Sequence, residues 1–133
     1  MVEEKEMEIK DEYDIVSARS VGKVMAQEIG LGIVDQSRIS TAISELARNV
    51  VLYAGKGKIY FRVIRQGSRE GLEVTVSDEG PGIPDVELAM MDGYTTSGGL
   101  GVGLPGAKRL TDEFEIQSEV GKGTVVTFRK WKR

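Results

Sequence analysis

Glu45 and Asn49 stand four residues apart in "ISELARN", so a helix puts both on one face. An amide oxygen is a hard ligand, suited to Mg²⁺ shared with phosphates, and a neighbouring carboxylate can orient or deprotonate a nucleophile. The same pair also reads as an ordinary solvated or capping Glu/Asn pair. Asp78 opens "DEGPGIP" at the end of an alternating apolar run. A carboxylate there can accept a hydrogen bond from an exocyclic amine such as adenine N6, and Gly80 and Gly82 let a tight loop pass close to a flat ligand. D-x-G-x-G is also a common turn. "TTSGGLGVGLPG", Thr95 to Gly106, puts bare backbone ahead of a helix start, which suits a polyphosphate or a flexible surface loop. The fourth piece, "GKGT" from Gly121 to Thr124, is by itself a hairpin turn.

Other glycine-loop chemistries do not fit. Gly101, Gly103 and Gly106 satisfy G-x-G-x-x-G, but "MMDGYTTSG" is not the apolar strand a dinucleotide fingerprint needs before it. Gly103 is followed by Leu104-Pro105 where a Walker A loop needs Lys-Ser/Thr, and the lysine, HRD and DFG elements of a protein-kinase glycine loop are missing. The chain holds no histidine and no cysteine. That excludes Ser-His-Asp catalysis, histidine- or thiolate-bound zinc, disulfides and a phosphohistidine within this chain. A reducing cytoplasm fits the missing cysteines.

The elements that must position these residues follow from periodicity. Ile15, Ala18, Val21, Val24, Met25 and Ile29 recur at helical spacing from Glu12 to Glu28, with Gly30 as a stop. A second helix runs from about Asp35 to Tyr53 with Ile39, Ala42, Ile43, Leu46 and Val50 on its buried face. "EKEMEIK" reads as an edge strand, and "GKGKIYFRVIRQ" and "GLEVTVSD" as adjacent strands. A short helix is expected near Asp85–Met91, and a third main helix over "PGAKRLTDEF" with Pro105 at its start. "FEIQSE" and "GTVVTFRKW" close as a strand pair. Strands and helices do not alternate as βαβ units, so the expected class is α+β, helices layered on one face of a mixed, mostly antiparallel sheet. The 133 residues fit one domain, 1–133. No apolar run approaches the roughly 20 residues of a membrane span, and the acidic start lacks a signal-peptide h-region. A net charge of −3 gives no nucleic-acid footprint, and the basic "RKWKR" reads as a solvated tail.

The four pieces, in this order, resemble the N, G1, G2 and G3 boxes of the Bergerat (GHKL) ATP-binding fold of gyrase B, Hsp90, histidine kinases and MutL. The resemblance implies a two-layer α/β sandwich, ATP and Mg²⁺ as ligands, Glu45 as general base and Asn49 as Mg²⁺ ligand. It implies that Asp78 holds adenine N6, that Gly80 and Gly82 shape the base pocket, and that Thr124 touches adenine. Ser97, Gly98, Gly99, Leu100, Gly101, Val102, Gly103 and Leu104 would line the phosphates, with the lid between Ile83 and Gly98 ordering on ATP. A histidine kinase needs a dimerisation helix pair bearing its phosphoacceptor, and gyrase, Hsp90 and MutL carry further domains. A domain of this length is similar to the anti-sigma-factor serine kinases. Over "EYDIVSARSVGKVMAQEIG", "VDQSRISTAISELARN", "LYAGKGKI", "DEGPGIPD", "DGYTTSGGLGVGLPGAKRL" and "DEF" it resembles the stressosome switch kinases.

That family implies a cytoplasmic serine/threonine kinase acting on STAS-domain stressosome proteins, an RsbS-like antagonist and an RsbR-like scaffold. Once released it would activate a downstream effector such as a PP2C phosphatase. The alternatives are an ATP-dependent anti-sigma factor that only binds, and a simple ATPase. One departure is visible. Thr95, Thr96 and Ser97 stand where sporulation anti-sigma relatives carry a basic lid residue.

Overall fold

The computed structural model describes residues 2–90 and 103–133. Strand β1 (Glu4–Ile9) leads to helix α1 (Glu12–Glu28) and helix α2 (Ile33–Asn49), followed by one π-helical turn (Val50–Ala54). Strands β2 (Gly57–Gln66) and β3 (Arg69–Asp78) come next, then short helices α3 (Val86–Ala89) and α4 (Leu104–Arg109). Strands β4 (Glu113–Glu119) and β5 (Gly123–Trp131) complete the described chain. The five strands form one sheet in the order β1-β2-β3-β5-β4, and every pairing is antiparallel. The α+β expectation holds, at the antiparallel end of the mixed sheet anticipated.

Period-2 alternation sorts the sheet's two faces. Ile59, Phe61 and Val63 of β2, Leu72, Val74 and Val76 of β3, and Val126 and Phe128 of β5 are buried under α1 and α2. Each such side chain contributes about 1.5–3 kcal/mol by leaving water. The opposite face carries a charge row across the strands. Arg62 reaches Glu73 at 2.9 Å, Arg129 reaches Glu73 at 2.8 Å, and Arg129 reaches Glu113 at 3.3 Å. Thr75 and Thr127 share a hydrogen bond of 3.2 Å beside it.

Helix α1 starts on reciprocal caps. The Asp14 backbone N–H donates to Asp11 Oδ1 at 2.9 Å, and the Lys10 N–H donates to Asp14 Oδ2 at 3.0 Å. Its buried face is Ile15, Ala18, Gly22, Met25 and Ala26. Val24, expected inside, is 52% exposed. Gly22 takes the place against α2, where an added Cβ would run into Ile43 Cδ1. On α2 and the first residue of the π turn, Ile39, Ala42, Ile43, Leu46 and Val50 are all buried, as their spacing implied.

Two further expectations are corrected. The helix drawn over "PGAKRLTDEF" ends at Arg109, and Glu113 and Phe114 already belong to β4. Asp112 cannot continue that helix because its carboxylate accepts the Trp131 backbone N–H at 2.8 Å. Nor is "RKWKR" a solvated tail. Arg129, Lys130 and Trp131 lie in β5, and Lys130 is only 4% exposed, with its Nζ 3.4 Å from Asp35 and 3.3 Å from Asp112.

Candidate functional site

The end of α2 and the π turn, the β3 terminus and the start of β5 converge on one cleft. Leu46, Val50, Val76, Ile83, Leu104 and Val126 make its apolar wall, with Asn49, Asp78 and Thr124 as its polar edge. Its atom-free space is about 490 Å³, open mouth included. A few convergent polar groups on an apolar wall are the usual make-up of a small-molecule site.

Each polar side chain is placed by its element. Asn49 is the last α-helical residue of α2. The chain then widens into the π turn, closed where the Gly55 N–H donates to Val50 O, five residues back, at 2.9 Å. The apolar spacing carries a helix to about Tyr53 but gives no sign of this change of pitch, a device common at functional sites. Tyr53 and Ala54, on that turn, also line the cleft. Asp78 and Thr124 face each other as register partners on β3 and β5. Asp78 Oδ1 accepts the Gly80 N–H at 2.9 Å, which fixes the carboxylate's rotation at the strand end.

The loops after β3 and before β5 interlock. Gly82 has a φ of 77°, and an added Cβ would press on the Glu119 carbonyl. Gly123 has a φ of 119°, and a Cβ there would strike the Asp78 carbonyl. The Gly121 N–H donates to Pro81 O at 3.0 Å across the same junction. An added Cβ at Gly80 would meet Ala54. The nearest neighbours of these glycines are therefore protein backbone and side chain, and D-x-G-x-G and GKGT fold as one unit.

Glu45 lies one turn before Asn49 on α2, half-buried, and is not among the residues lining the cleft. Gly103, which caps α4 with a φ of 85°, packs directly on it, and an added Cβ would collide with the Glu45 carboxylate. The end of the glycine cluster is thus seated on the candidate base, and the next residue, Leu104, enters the cleft wall. Ser97, Gly98, Gly99, Leu100, Gly101 and Val102 lie outside the described residues, as do Thr95, Thr96 and the rest of the lid from residue 91 on.

Sequence reasoning missed Ser118. From β4 its hydroxyl accepts the Ile83 N–H at 2.7 Å, reaches Gly123 O at 3.1 Å and lies 2.8 Å from Thr124 Oγ1. A lone serine in an alternating strand carries no signal of such a role. The apolar wall was legible only as core.

This geometry can be set beside known proteins. Residues 34–133 match the family model described as histidine kinase-, DNA gyrase B-, and HSP90-like ATPase. The chain belongs to that ATPase family, and ATP is the nucleotide such a domain binds. It is 54% identical to the serine/threonine-protein kinase RsbT of Bacillus subtilis (strain 168), over 94% of each chain. Within the family it is therefore an RsbT-like serine/threonine protein kinase. An anti-sigma F factor of Caldanaerobacter subterraneus subsp. tengcongensis is 35% identical over 86% of this chain and 82% of its own length.

Two solved structures share the fold. The RsbU and RsbW domains of a Mycobacterium tuberculosis protein align with a TM-score of 0.65 at 19% identity, covering 97% of this chain and 33% of theirs. The mycobacterial sensor histidine kinase MprB aligns with a TM-score of 0.58 at 18% identity over 99% of both. Among the described residues no helix is long and apolar enough to cross a membrane.

Proposed function

We propose that residues 1–133 form one kinase domain that transfers the ATP γ-phosphoryl group to a serine or threonine of STAS-domain partner proteins in the cytoplasm. The observation that carries this reading is the convergence of Asn49, Asp78 and Thr124 on one cleft, with Gly103 seated on Glu45 beside it. Phosphoryl transfer is catalysed mainly by positioning and electrostatics, and a rigid helix face joined to interlocked loops supplies positioning.

Asp78, at the strand end, takes the adenine amine, while Leu46, Val76, Ile83 and Val126 bury the faces of the base. Thr124 completes the polar edge. Gly103, Leu104 and the preceding residues 97–102 hold the phosphates with backbone N–H groups. Glu45 accepts the proton of the substrate hydroxyl. The described residues contain no group of three or more acidic, histidine or cysteine side chains that could cage a metal. Asn49, on the cleft's edge, offers one hard amide oxygen, and Mg²⁺, which takes few protein ligands and keeps phosphate and water oxygens, fits such a single donor. When bound, the ion neutralises triphosphate charge.

The partners in this reading are an RsbS-like antagonist and an RsbR-like scaffold, and the released kinase activates a PP2C phosphatase or another output enzyme. The second reading is an ATP-dependent anti-sigma factor or binding switch without significant kinase activity; an anti-sigma F factor is among the relatives. Labelled ATP incubated with the protein and a STAS partner separates the cases. Label on partner serine or threonine is expected, and loss of at least 100-fold in rate for Glu45→Gln accompanies it if Glu45 is the base. Phosphate release alone would support an ATPase, and tight binding without label the pure switch.

A further inference from the structure

Thr124 belongs to the cleft wall, but what its hydroxyl offers a ligand is decided one residue deeper, at Ser118. A serine hydroxyl has one proton and two lone pairs. Gly123 O can only accept, so the 3.1 Å contact uses the Ser118 proton. The Ile83 N–H can only donate, so its 2.7 Å contact uses one lone pair. The 2.8 Å contact with Thr124 Oγ1 is then satisfied only if Thr124 donates. This assignment makes all three bonds at once. It also spends the Thr124 proton inside the protein and leaves that hydroxyl only lone pairs for the cleft. Asp78, the register partner of Thr124, is a carboxylate and likewise accepts.

We infer that Ser118 is a positioning residue for base selection: by drawing the Thr124 proton away, it makes the Asp78–Thr124 pair on the cleft's edge acceptor-only and so favours a 6-amino purine over a 6-oxo purine. This rests on the adenine reading of the cleft given above. A 6-amino group presents two protons to such an edge. A 6-oxo group presents lone pairs, which face lone pairs and lose their water without recompense; its neighbouring N1–H can still donate to one member of the pair, so the discrimination rests on the exocyclic position. Ser118 does not line the cleft, so its effect on the base passes through Thr124.

The test is equilibrium binding of ATP and of inosine triphosphate, which carries a 6-oxo group, to the full chain and its variants. The wild type is expected to prefer ATP. Ser118→Ala frees the Thr124 hydroxyl to rotate and donate, so the preference should narrow by about fivefold, the worth of one hydrogen bond between neutral groups. Thr124→Val should narrow it similarly, and the double variant should narrow it no further than Thr124→Val alone, because the two side chains act as one unit. Should Ser118→Ala not fold, Ser118→Thr keeps the hydroxyl and is expected to keep the wild-type ratio. A ratio unchanged in Ser118→Ala, equal weakening of both nucleotides, or additive effects in the double variant would each overturn the inference while leaving the adenine site standing. A wild type whose ATP affinity is indifferent to Asp78→Asn would overturn the adenine reading and this inference together.

Discussion

Gly103 is the residue at which fold and chemistry constrain each other most tightly. Its φ of 85° and its seat on the Glu45 carboxylate leave no room for a methyl group. Gly103→Ala is expected to cost about 1–2 kcal/mol of stability from backbone strain, measurable by urea denaturation. It should also displace Glu45 and lower the phosphorylation rate more than tenfold. Retention of the wild-type rate would show that Glu45's position is irrelevant to transfer. Asn49→Ala, by contrast, should fold normally, because Asn49 is half-buried at a helix end. Its expected defect is specific: calorimetry with and without Mg²⁺ should show that the metal no longer strengthens ATP binding. Asn49, Asp78 and Thr124, which the fold gathers at the cleft, were singled out in the sequence by the order of the four pieces and the family they resemble, since each piece alone reads equally as a turn or a solvated pair. Ser118 was not, since nothing in "FEIQSE" distinguishes a serine that fixes a neighbour's proton from one that faces water.

Elements were legible where side chains carry the signal and illegible where they do not. The α2 stripe was read correctly because five apolar residues mark it. The α1 face was drawn toward Val24 because Gly22, which packs on Ile43, adds nothing to an apolar count. The early end of α4 and the burial of Lys130 depend on Asp112, a contact made across the fold. Lys130 joins the first turn of α2, through Asp35, to the α4–β4 connection, through Asp112, so two of the site's supports share one cation. Lys130→Met leaves both carboxylates without it and is expected to cost about 3 kcal/mol.

Burial alone would raise the Asp112 pKa, but the Trp131 backbone N–H, then Lys130 and Arg133, outweigh it and hold the carboxyl below its ordinary value. A depressed folded-state pKa stabilises the protein above the unfolded value of about 3.9, and that contribution is lost as pH falls through the folded-state value. The stability gap between wild type and Asp112→Asn should therefore be full at neutral pH and shrink below about pH 4. A constant gap from neutral to acid pH would remove the assignment.

At the scale of the molecule, one antiparallel sheet carries both the core and the site, so the described fold should unfold as a unit. Far-UV circular dichroism and tryptophan fluorescence should give coincident denaturation curves, and ATP should shift both by RT ln(1 + [L]/Kd). Separated curves would indicate a part that melts alone. On the outer face of the sheet Arg62 and Arg129 pair with Glu73 and Glu113, and the exposed Glu4, Glu6 and Glu8 of β1 add carboxylates beside them.

Trp131 is the sole tryptophan of the chain. It sits with the Arg69 guanidinium 4.3 Å from its ring centroid and its indole N–H on Glu113. Thr124 lies seven residues back along the same strand, which at the usual rise is about 23 Å away. The protein thus carries an intrinsic fluorophore at the end of β5 remote from its nucleotide cleft. Ordinary emission spectroscopy can follow detachment of that strand in real time while ligand is titrated at the other end, with no label attached and little direct quenching by the bound base.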